Sequence, residues 1–420
     1  FLMEVARVRI VRASWLRMLV ATGLMAGLSM ADQPSQLARA QALLVQGDES
    51  AALVELQALL KSEPNNLFAL GNAGLICGRR GQLSLAAEYL SRAHHIKPDD
   101  LRLSLALLEV YAKSDRKQDT ARLAADLGAN QKLDRRQVLV ASQLLLRSGN
   151  FNSAASIAGT LPAESVDRHD ILASIYTAGG DVKRASDEFQ EAIRLDPRND
   201  QRYFRLGMLY LKYRTPSLAI VVFAHGIESR PDSPLLWLGL GVSQSLDEKP
   251  DLAEESLRKA IDLNPHFSDA YLLLGDILEQ EKPREALEIF RHTIAAHPDL
   301  PVAYFYYGRL ALELNEGPIE NTIAVLRKAI ALAPNFADSH YELGRALEQA
   351  GKPHEAIAQF EDCLQRDPKM AKAYYRLGIL SKRYGDSGRA AEALKAFQQT
   401  QKMEDPDMEL KRLEYKIGPQ

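Results

Sequence analysis

Residues 203–231 read YFRLGMLYLKYRTPSLAIVVFAHGIESRP, and this stretch contains two helical patterns joined by a short break. Tyr203, Leu206 and Tyr210 recur at spacings of three and four, which places them on one face of the first helix. Pro216 then stands in the first turn of the second helix, where its missing backbone N–H costs nothing. The stretch therefore predicts a helix–turn–helix that is closed by a proline.

The same pattern returns along the chain with a nearly fixed period. Prolines follow the helical runs at spacings of mostly 33 to 36 residues, at Pro64, Pro98, Pro197, Pro231, Pro265, Pro298, Pro334 and Pro368. A fixed period of this size is the signature of stacked helical repeats. We count about eleven repeats, which open near Gln33, Leu67, Leu101, Arg135, Val166, Asp200, Pro234, Ser268, Pro301, Ala337 and Ala371.

Small residues also recur at one place in the first helix of many repeats. They are Gly74, Gly207, Gly241, Gly275, Gly308, Gly344 and Gly378. Because glycine inside a helix costs up to about 1 kcal/mol relative to alanine, its repetition implies that the backbone of a neighbouring helix comes close. Other glycines are expected to end first helices in the left-handed conformation, at Gly81, Gly149, Gly180, Gly351 and Gly385.

Together with residues 237–265 and 340–368, this pattern resembles the tetratricopeptide repeat. The resemblance implies an all-α fold, a helix-turn-helix solenoid coiled as a right-handed superhelix. We predict one repeat array over residues 32–404, irregular at 101–161 where the pattern decays. Residues 405–420 are predicted to form a C-terminal capping helix, because a solenoid needs an end that covers its last apolar face.

The first 31 residues differ from the rest of the chain. Arg7, Arg9, Arg12 and Arg17 precede an apolar run from Met18 to Met30, which is the order of a secretory signal peptide. This predicts an exported protein, periplasmic or extracellular, in a bacterial envelope setting. The alternative is that residues 1–31 form an uncleaved membrane anchor.

Charge and composition argue against several other partners. The chain carries a net charge of −3, and removal of residues 1–31 would take away four arginines and one glutamate and leave −6. A nucleic-acid surface needs a basic face, so no nucleic acid is predicted as a partner. We also predict no membrane contact once the signal is removed, and the sequence leaves the oligomeric state open.

We find no pattern that predicts catalysis, a cofactor or a metal site. The sequence contains no Walker loop, no G-x-S-x-G and no dinucleotide-binding fingerprint, and His354-Glu355 lacks the second histidine of a zinc protease helix. Cys77 and Cys363 are expected to be buried as small apolar side chains. We therefore predict that the chain is not an enzyme.

In tetratricopeptide proteins the first helix of each repeat lines the concave side, which the resemblance makes the expected binding groove. The partner-binding residues predicted from this register are Phe204, Arg205, Phe305, Tyr306, Arg309, Tyr341, Arg345, Tyr375, Arg376 and Arg383. Aromatic residues and arginines dominate many interfaces, and arginine can clamp carboxylates. We expect an acidic ligand with apolar residues, and we expect Arg345 and Arg376 to be exposed.

Two functions fit these features. The first is a non-catalytic exported scaffold that binds a protein or peptide in the concave groove. The alternative is a recruitment module of a polysaccharide-export or glycosyltransferase machine whose catalytic subunit is another chain.

Overall fold

A computed structural model describes residues 35–130 and 133–402, and within them it shows 22 α-helices and no strand. The all-α helix-turn-helix fold predicted from the sequence is confirmed. The first ten helices are α1 Gln36–Gln46, α2 Glu49–Ser62, α3 Leu67–Arg79, α4 Leu83–Ile96, α5 Leu101–Lys113, α6 Lys117–Asn130, α7 Arg135–Arg147, α8 Phe151–Ala158, α9 Val166–Ala178 and α10 Val182–Leu195. The remaining helices are α11 Asp200–Lys212, α12 Pro216–Ser229, α13 Pro234–Leu246, α14 Pro250–Leu263, α15 Ser268–Glu281, α16 Pro283–Ala296, α17 Pro301–Leu314, α18 Ile319–Leu332, α19 Ala337–Gln349, α20 Pro353–Arg366, α21 Ala371–Arg383 and α22 Ser387–Lys402.

Odd-numbered helices are the first helices of the pairs, and each packs on the second helix that follows it. From α3 onward, every first helix begins at the residue where the sequence pattern placed the opening of a repeat. The predicted opening near Gln33, the signal segment of residues 1–31 and the capping helix of residues 405–420 lie outside the described residues. Asparagine or aspartate caps the start of α3, α5, α7 and α11, and proline opens α13 and α17, which are local preferences for starting a helix.

The first helices commonly end in a left-handed residue. The five glycines predicted for this role all have a positive φ, between 71° and 86°. Asp115, Arg214 and Glu248 hold the equivalent place with φ between 54° and 57°, although they carry side chains. Pro318 stands at the N-cap, one residue before α18, whereas Pro216 is the first residue of its helix. The loop before Pro318 contains two left-handed residues, Asn315 and Gly317, in a repeat whose prolines, Pro298 and Pro334, are 36 residues apart.

The described chain divides into two compact units, one ending at Asp196 and one beginning at Pro197. The N-terminal unit contains α1 to α10 around a core of leucines and alanines, with Leu56, Leu70, Leu90 and Leu108 fully buried. Its helix α8 has 8 residues, whereas α4 and α10 have 14 each. The second helix of this repeat is therefore shortened, and it lies within residues 101–161, where the sequence pattern decays.

The C-terminal unit contains α11 to α22, and aromatic rings fill its core. Phe223 on α12 is fully buried, and its ring lies where a Cβ atom at Gly207 or at Gly239 would overlap it. The neighbouring helix thus packs an aromatic side chain against these glycines, whereas the sequence pattern predicted that its backbone would come close. A side chain at either place would have to displace the ring, so the glycine is required by packing.

A polar ring near the start of several first helices binds back to the preceding loop. The indole N–H of Trp237 donates to the carbonyl oxygen of Pro231 at 3.0 Å, and the Tyr304 hydroxyl donates to Pro298 at 3.0 Å. In the same register, Nε2 of His340 lies 3.1 Å from the carbonyl oxygen of Pro334. These bonds satisfy loop carbonyl groups that no helix pairs, and they tie each loop to the helix that follows it.

Candidate binding face

The predicted binding residues all lie on first helices of the C-terminal unit. Phe204 and Arg205 lie on α11, and the others lie on α17, α19 and α21. Phe204 is half-buried, with its ring centroid 6.0 Å from that of Phe223. We refer to the side of α15, α17, α19 and α21 that carries the remaining residues as the first-helix face.

Three of the predicted aromatic residues are buried in the stack. Phe305 is 3% exposed, Tyr306 1% and Tyr341 7%. The ring of Tyr306 stacks on Phe290 with centroids 4.9 Å apart, and it occupies the space that a Cβ at Gly275 would need. The expectation that these three rings meet a ligand is therefore wrong. These three positions pack against neighbouring helices of the stack. The pattern of one repeat alone cannot distinguish such a buried position from a surface position.

Tyr306 also organises the polar groups beside it. Its hydroxyl lies 2.6 Å from the carbonyl oxygen of Leu272 and 2.6 Å from Oδ1 of Asp276, both on α15. Burial, and then the carboxylate of Asp276, raise the pKa of Tyr306. The hydroxyl therefore stays protonated and donates to these acceptors, which fixes α17 against α15.

Three of the predicted arginines pair with carboxylates on their own first helix or on the preceding one. Arg309 lies 2.6 Å from Glu279 on α15, and Arg345 lies 2.7 Å from Glu342 on its own helix and 3.6 Å from Glu313 on α17. Arg376 lies 3.4 Å from Glu348 on α19. We call this set the ion-pair ladder; its members are Asp276, Glu279, Arg309, Glu313, Glu342, Arg345, Glu348 and Arg376. It holds more carboxylates than arginines, so Arg309 and Arg345, the two less exposed arginines, are already compensated within the fold.

Glu279 lies on α15, at one end of the ladder, and is less exposed than Asp276 on the same helix. Its side chain is 10% exposed, and one carboxylate oxygen, Oε1, has no hydrogen-bond donor. Burial raises the pKa of Glu279 to about 8, with Glu313 and Asp276 adding to the rise and Arg309 opposing it. Burial and the neighbouring carboxylates thus favour the protonated form of Glu279, whereas its contact with Arg309 favours the charged form.

Glu342 occupies a similar place one helix further along. Its side chain is 2% exposed, and burial raises its pKa while Arg345, Lys372 and Arg309 oppose the rise. Arg345 itself is only 24% exposed. The expectation that Arg345 is an exposed residue is therefore wrong, because its guanidinium is committed to a buried carboxylate.

On the first-helix face, the accessible members of the predicted set lie on α21. Tyr375 is 47% exposed, the side chain of Arg376 is 42% exposed, and Arg383 is exposed at the end of the helix. The ring of Tyr375 rests 5.4 Å from Phe397 on α22. An aromatic ring and two guanidinium groups on one helix can bind an apolar group next to a carboxylate.

The sequence alone did not predict the ion pairs of the ladder, such as the pair between Glu279 and Arg309. A signal does exist, since Glu279 precedes Arg309 by 30 residues, Glu313 precedes Arg345 by 32 and Glu348 precedes Arg376 by 28. Each spacing differs from the repeat period by no more than about two helical turns, so the two side chains lie near each other on adjacent first helices.

Within residues 35–130 and 133–402, no group of three or more histidine, cysteine, aspartate or glutamate side chains could hold a metal ion. In the same residues, no helix combines the length and the apolar character that crossing a membrane requires. Cys77 and Cys363 are both buried and free, as expected, and burial raises the pKa of Cys363 to about 12.

Four segments of the chain match family models described as tetratricopeptide repeat: residues 37–100, 169–199, 247–282 and 337–380. Protein O-mannosyl-transferase TMTC3 of Homo sapiens is 22% identical over 323 residues, which are 74% of this chain and 33% of that protein. Cellulose synthase 2 operon protein C of Komagataeibacter xylinus is 26% identical over 165 residues, 35% of this chain and 12% of that protein. The chain thus spans a third or less of these two relatives.

Solved structures with similar helix arrangements include yeast Tom70 and MamA. Tom70 is 13% identical with a TM-score of 0.45, covering 91% of this chain and 94% of that chain. MamA is 22% identical with a TM-score of 0.33, covering 39% of this chain and 95% of that chain.

Proposed function

We propose that this chain, whose helix pairs are tetratricopeptide repeats, is a non-catalytic scaffold that binds a protein or peptide on the first-helix face. The observation that carries the proposal is the accessible group of Tyr375, Arg376 and Arg383 on α21, held on a rigid stack of helix pairs. A pre-formed surface adds little ordering cost to binding. The ligand we propose is acidic with apolar residues, as the exposed guanidinium groups and the ring of Tyr375 favour.

The location that we propose is the exported side of a bacterial envelope. It rests on the order of basic, apolar and small residues in positions 1–31. Retention of those residues as an anchor would leave the scaffold at the membrane surface, with the same binding face.

A second proposal is the recruitment module of a machine that handles polysaccharides or glycosyl transfer. The observation that favours it is the partial match to proteins named for cellulose synthesis and for O-mannosyl transfer. In this proposal the catalytic work belongs to another chain, and the repeats contribute only binding.

The test is a pull-down with residues 32–420 from an envelope extract, followed by mass spectrometry. The variant combines Tyr375→Ala with Arg383→Glu, and the control is Lys395→Glu, which makes the same charge change at an exposed place on α22. We expect a reproducible partner that the control retains and the variant loses. A partner retained by both would remove the first-helix face from the proposal, and recovery of a glycan-handling enzyme alone would favour the second proposal.

A further inference from the structure

Tyr375 differs from the residues that hold the same place in the two preceding first helices. Phe305, Tyr341 and Tyr375 are each the fifth residue of their helix, on α17, α19 and α21. Phe305 is 3% exposed and Tyr341 is 7% exposed, whereas Tyr375 is 47% exposed. The ring on α21 therefore stands at a position that α17 and α19 keep buried.

In both earlier helices, a residue from the start of the next first helix covers the ring. The ring of Phe336 lies 5.0 Å from that of Phe305, and Nζ of Lys372 lies 4.4 Å from the ring centroid of Tyr341. Each covering residue follows its aromatic residue by 31 positions. The same spacing from the ring on α21 leads to position 406, in the part of the chain that follows α22.

Residues 403–410, which we call the post-α22 segment, read MEDPDMEL and lie outside the described residues. The segment contains four carboxylates, three large apolar side chains and no lysine or arginine. Its stretch Asp405-Pro406-Asp407-Met408 repeats the pattern Asp367-Pro368-Lys369-Met370 that directly precedes α21. The pattern that leads the chain from a second helix to the next first helix is thus also present after α22.

The charge of the post-α22 segment is complementary to that of α21. The helix has no aspartate or glutamate, and its four basic residues are Lys372, Arg376, Lys382 and Arg383. The side chain of Arg376 is 42% exposed, and Glu348 lies 3.4 Å from it. A guanidinium group has five N–H donors, so Arg376 can bind a second carboxylate beside this one.

The segment is also long enough to reach these residues. The ring of Tyr375 lies 5.4 Å from that of Phe397, which precedes the end of α22 at Lys402 by five residues. Five helical residues rise about 7.5 Å, and eight extended residues span up to about 26 Å. Because the segment is attached beside Tyr375, its effective concentration there is on the order of millimolar.

We propose that the post-α22 segment lies against Tyr375 and Arg376 and occupies this part of the first-helix face until an external ligand displaces it. The segment has the chemical character proposed for the ligand, acidic with apolar residues. The contact itself is independent of the proposed function, whereas the competition with a ligand rests on it.

The contact is tested by disulfide trapping in the full chain, whose natural cysteines are both buried. Met408→Cys is combined with Ile379→Cys, one helical turn after Tyr375 on the same face of α21. The control combines Met408→Cys with Lys395→Cys, which is exposed on α22 and two residues from Phe397, so it lies on another side of that helix. We expect the first pair to form its disulfide at least about tenfold faster than the control pair.

The competition is measured with the synthetic peptide MEDPDMEL, labelled with a fluorophore and followed by anisotropy. A neutralised chain carries amides in place of the four acids of the segment: Glu404→Gln, Asp405→Asn, Asp407→Asn and Glu409→Gln. We expect the peptide to bind the neutralised chain at least about tenfold more tightly than the unaltered chain, because its own segment no longer fills the site. Adding Arg376→Glu to the neutralised chain should weaken this binding at least about tenfold.

Equal trapping of the two cysteine pairs overturns the proposal, as does equal affinity of the peptide for the unaltered and neutralised chains. Failure of the proposed function gives a different result. The pair of Met408→Cys and Ile379→Cys is then trapped as expected, while the partner recovered in the pull-down is insensitive to Tyr375→Ala with Arg383→Glu. That outcome supports the contact and overturns the competition.

Discussion

Glu279 makes the stability of the C-terminal unit depend on pH. Its pKa is about 8 in the folded chain, against roughly 4.3 for an unperturbed glutamate. Between these two values the folded state holds a proton that the unfolded state has lost. This contribution to stability is therefore complete at low pH, is lost as the pH rises toward 8, and stays lost above it.

Glu279→Gln should remove this dependence, since glutamine resembles the protonated acid. We expect the unaltered chain to lose up to about 1.4 kcal/mol per pH unit relative to the variant between about pH 5 and 8. Urea denaturation at several pH values measures the difference, with Glu281→Gln at the exposed end of α15 as the control. Parallel curves for the unaltered chain and the variant would show that Glu279 is ionised in the folded state.

Arg345 and Arg376 should respond very differently to reversal of their charge. Arg345→Glu would place another carboxylate beside Glu342, which is 2% exposed, and is expected to cost about 3–5 kcal/mol. Arg376 is 42% exposed, so Arg376→Glu should cost at most about 1 kcal/mol. Thermal melting of the two variants checks the difference. Equal losses would contradict the ladder, and only the Arg376 variant is suitable for testing ligand binding.

At the scale of the element, the left-handed residues that end first helices offer a stabilising change. Glu248 has a φ of 57° at the place where Gly351 has 71° in a later repeat. A residue with a side chain costs roughly 1–2 kcal/mol in this conformation. Glycine avoids that cost, but part of the gain is lost because glycine gives the unfolded chain more conformational freedom. We expect Glu248→Gly to raise the unfolding free energy by about 1 kcal/mol. Gly351→Ala should lower it, and a loss in both variants would contradict this account.

Helix bounds could be predicted from the sequence, but the contacts between helices could not. Pro250 and Pro283 start their helices through local backbone geometry, so a single sequence contains the signal. The burial of Tyr306 depends instead on Phe290 in the preceding repeat and on the space above Gly275. A periodic pattern places Tyr306 on a helix face, but it does not show which neighbour covers that face.

The same limit applies to charge. Arginines at Arg309 and Arg345 look available to an acidic ligand when each repeat is considered alone. In the folded stack, carboxylates on adjacent first helices already pair with both arginines, so these guanidinium groups are not free to bind an acidic ligand. What stays accessible lies on α21, the last first helix of the described residues.

At the scale of the whole molecule, the described repeats form two compact units, and the predicted binding residues all belong to the C-terminal one. Its first helices carry both the ion-pair ladder and the accessible residues of α21.

The loop contact of Trp237 also has an optical consequence. The chain contains two tryptophans, and the other is Trp15, which lies within the segment predicted to be a signal. A chain that begins at residue 32 therefore owes all of its indole fluorescence to one half-buried ring, hydrogen-bonded to the carbonyl of Pro231. Its emission wavelength reports on the loop at Pro231, so unfolding of that one repeat can be followed by intrinsic fluorescence, without an attached dye.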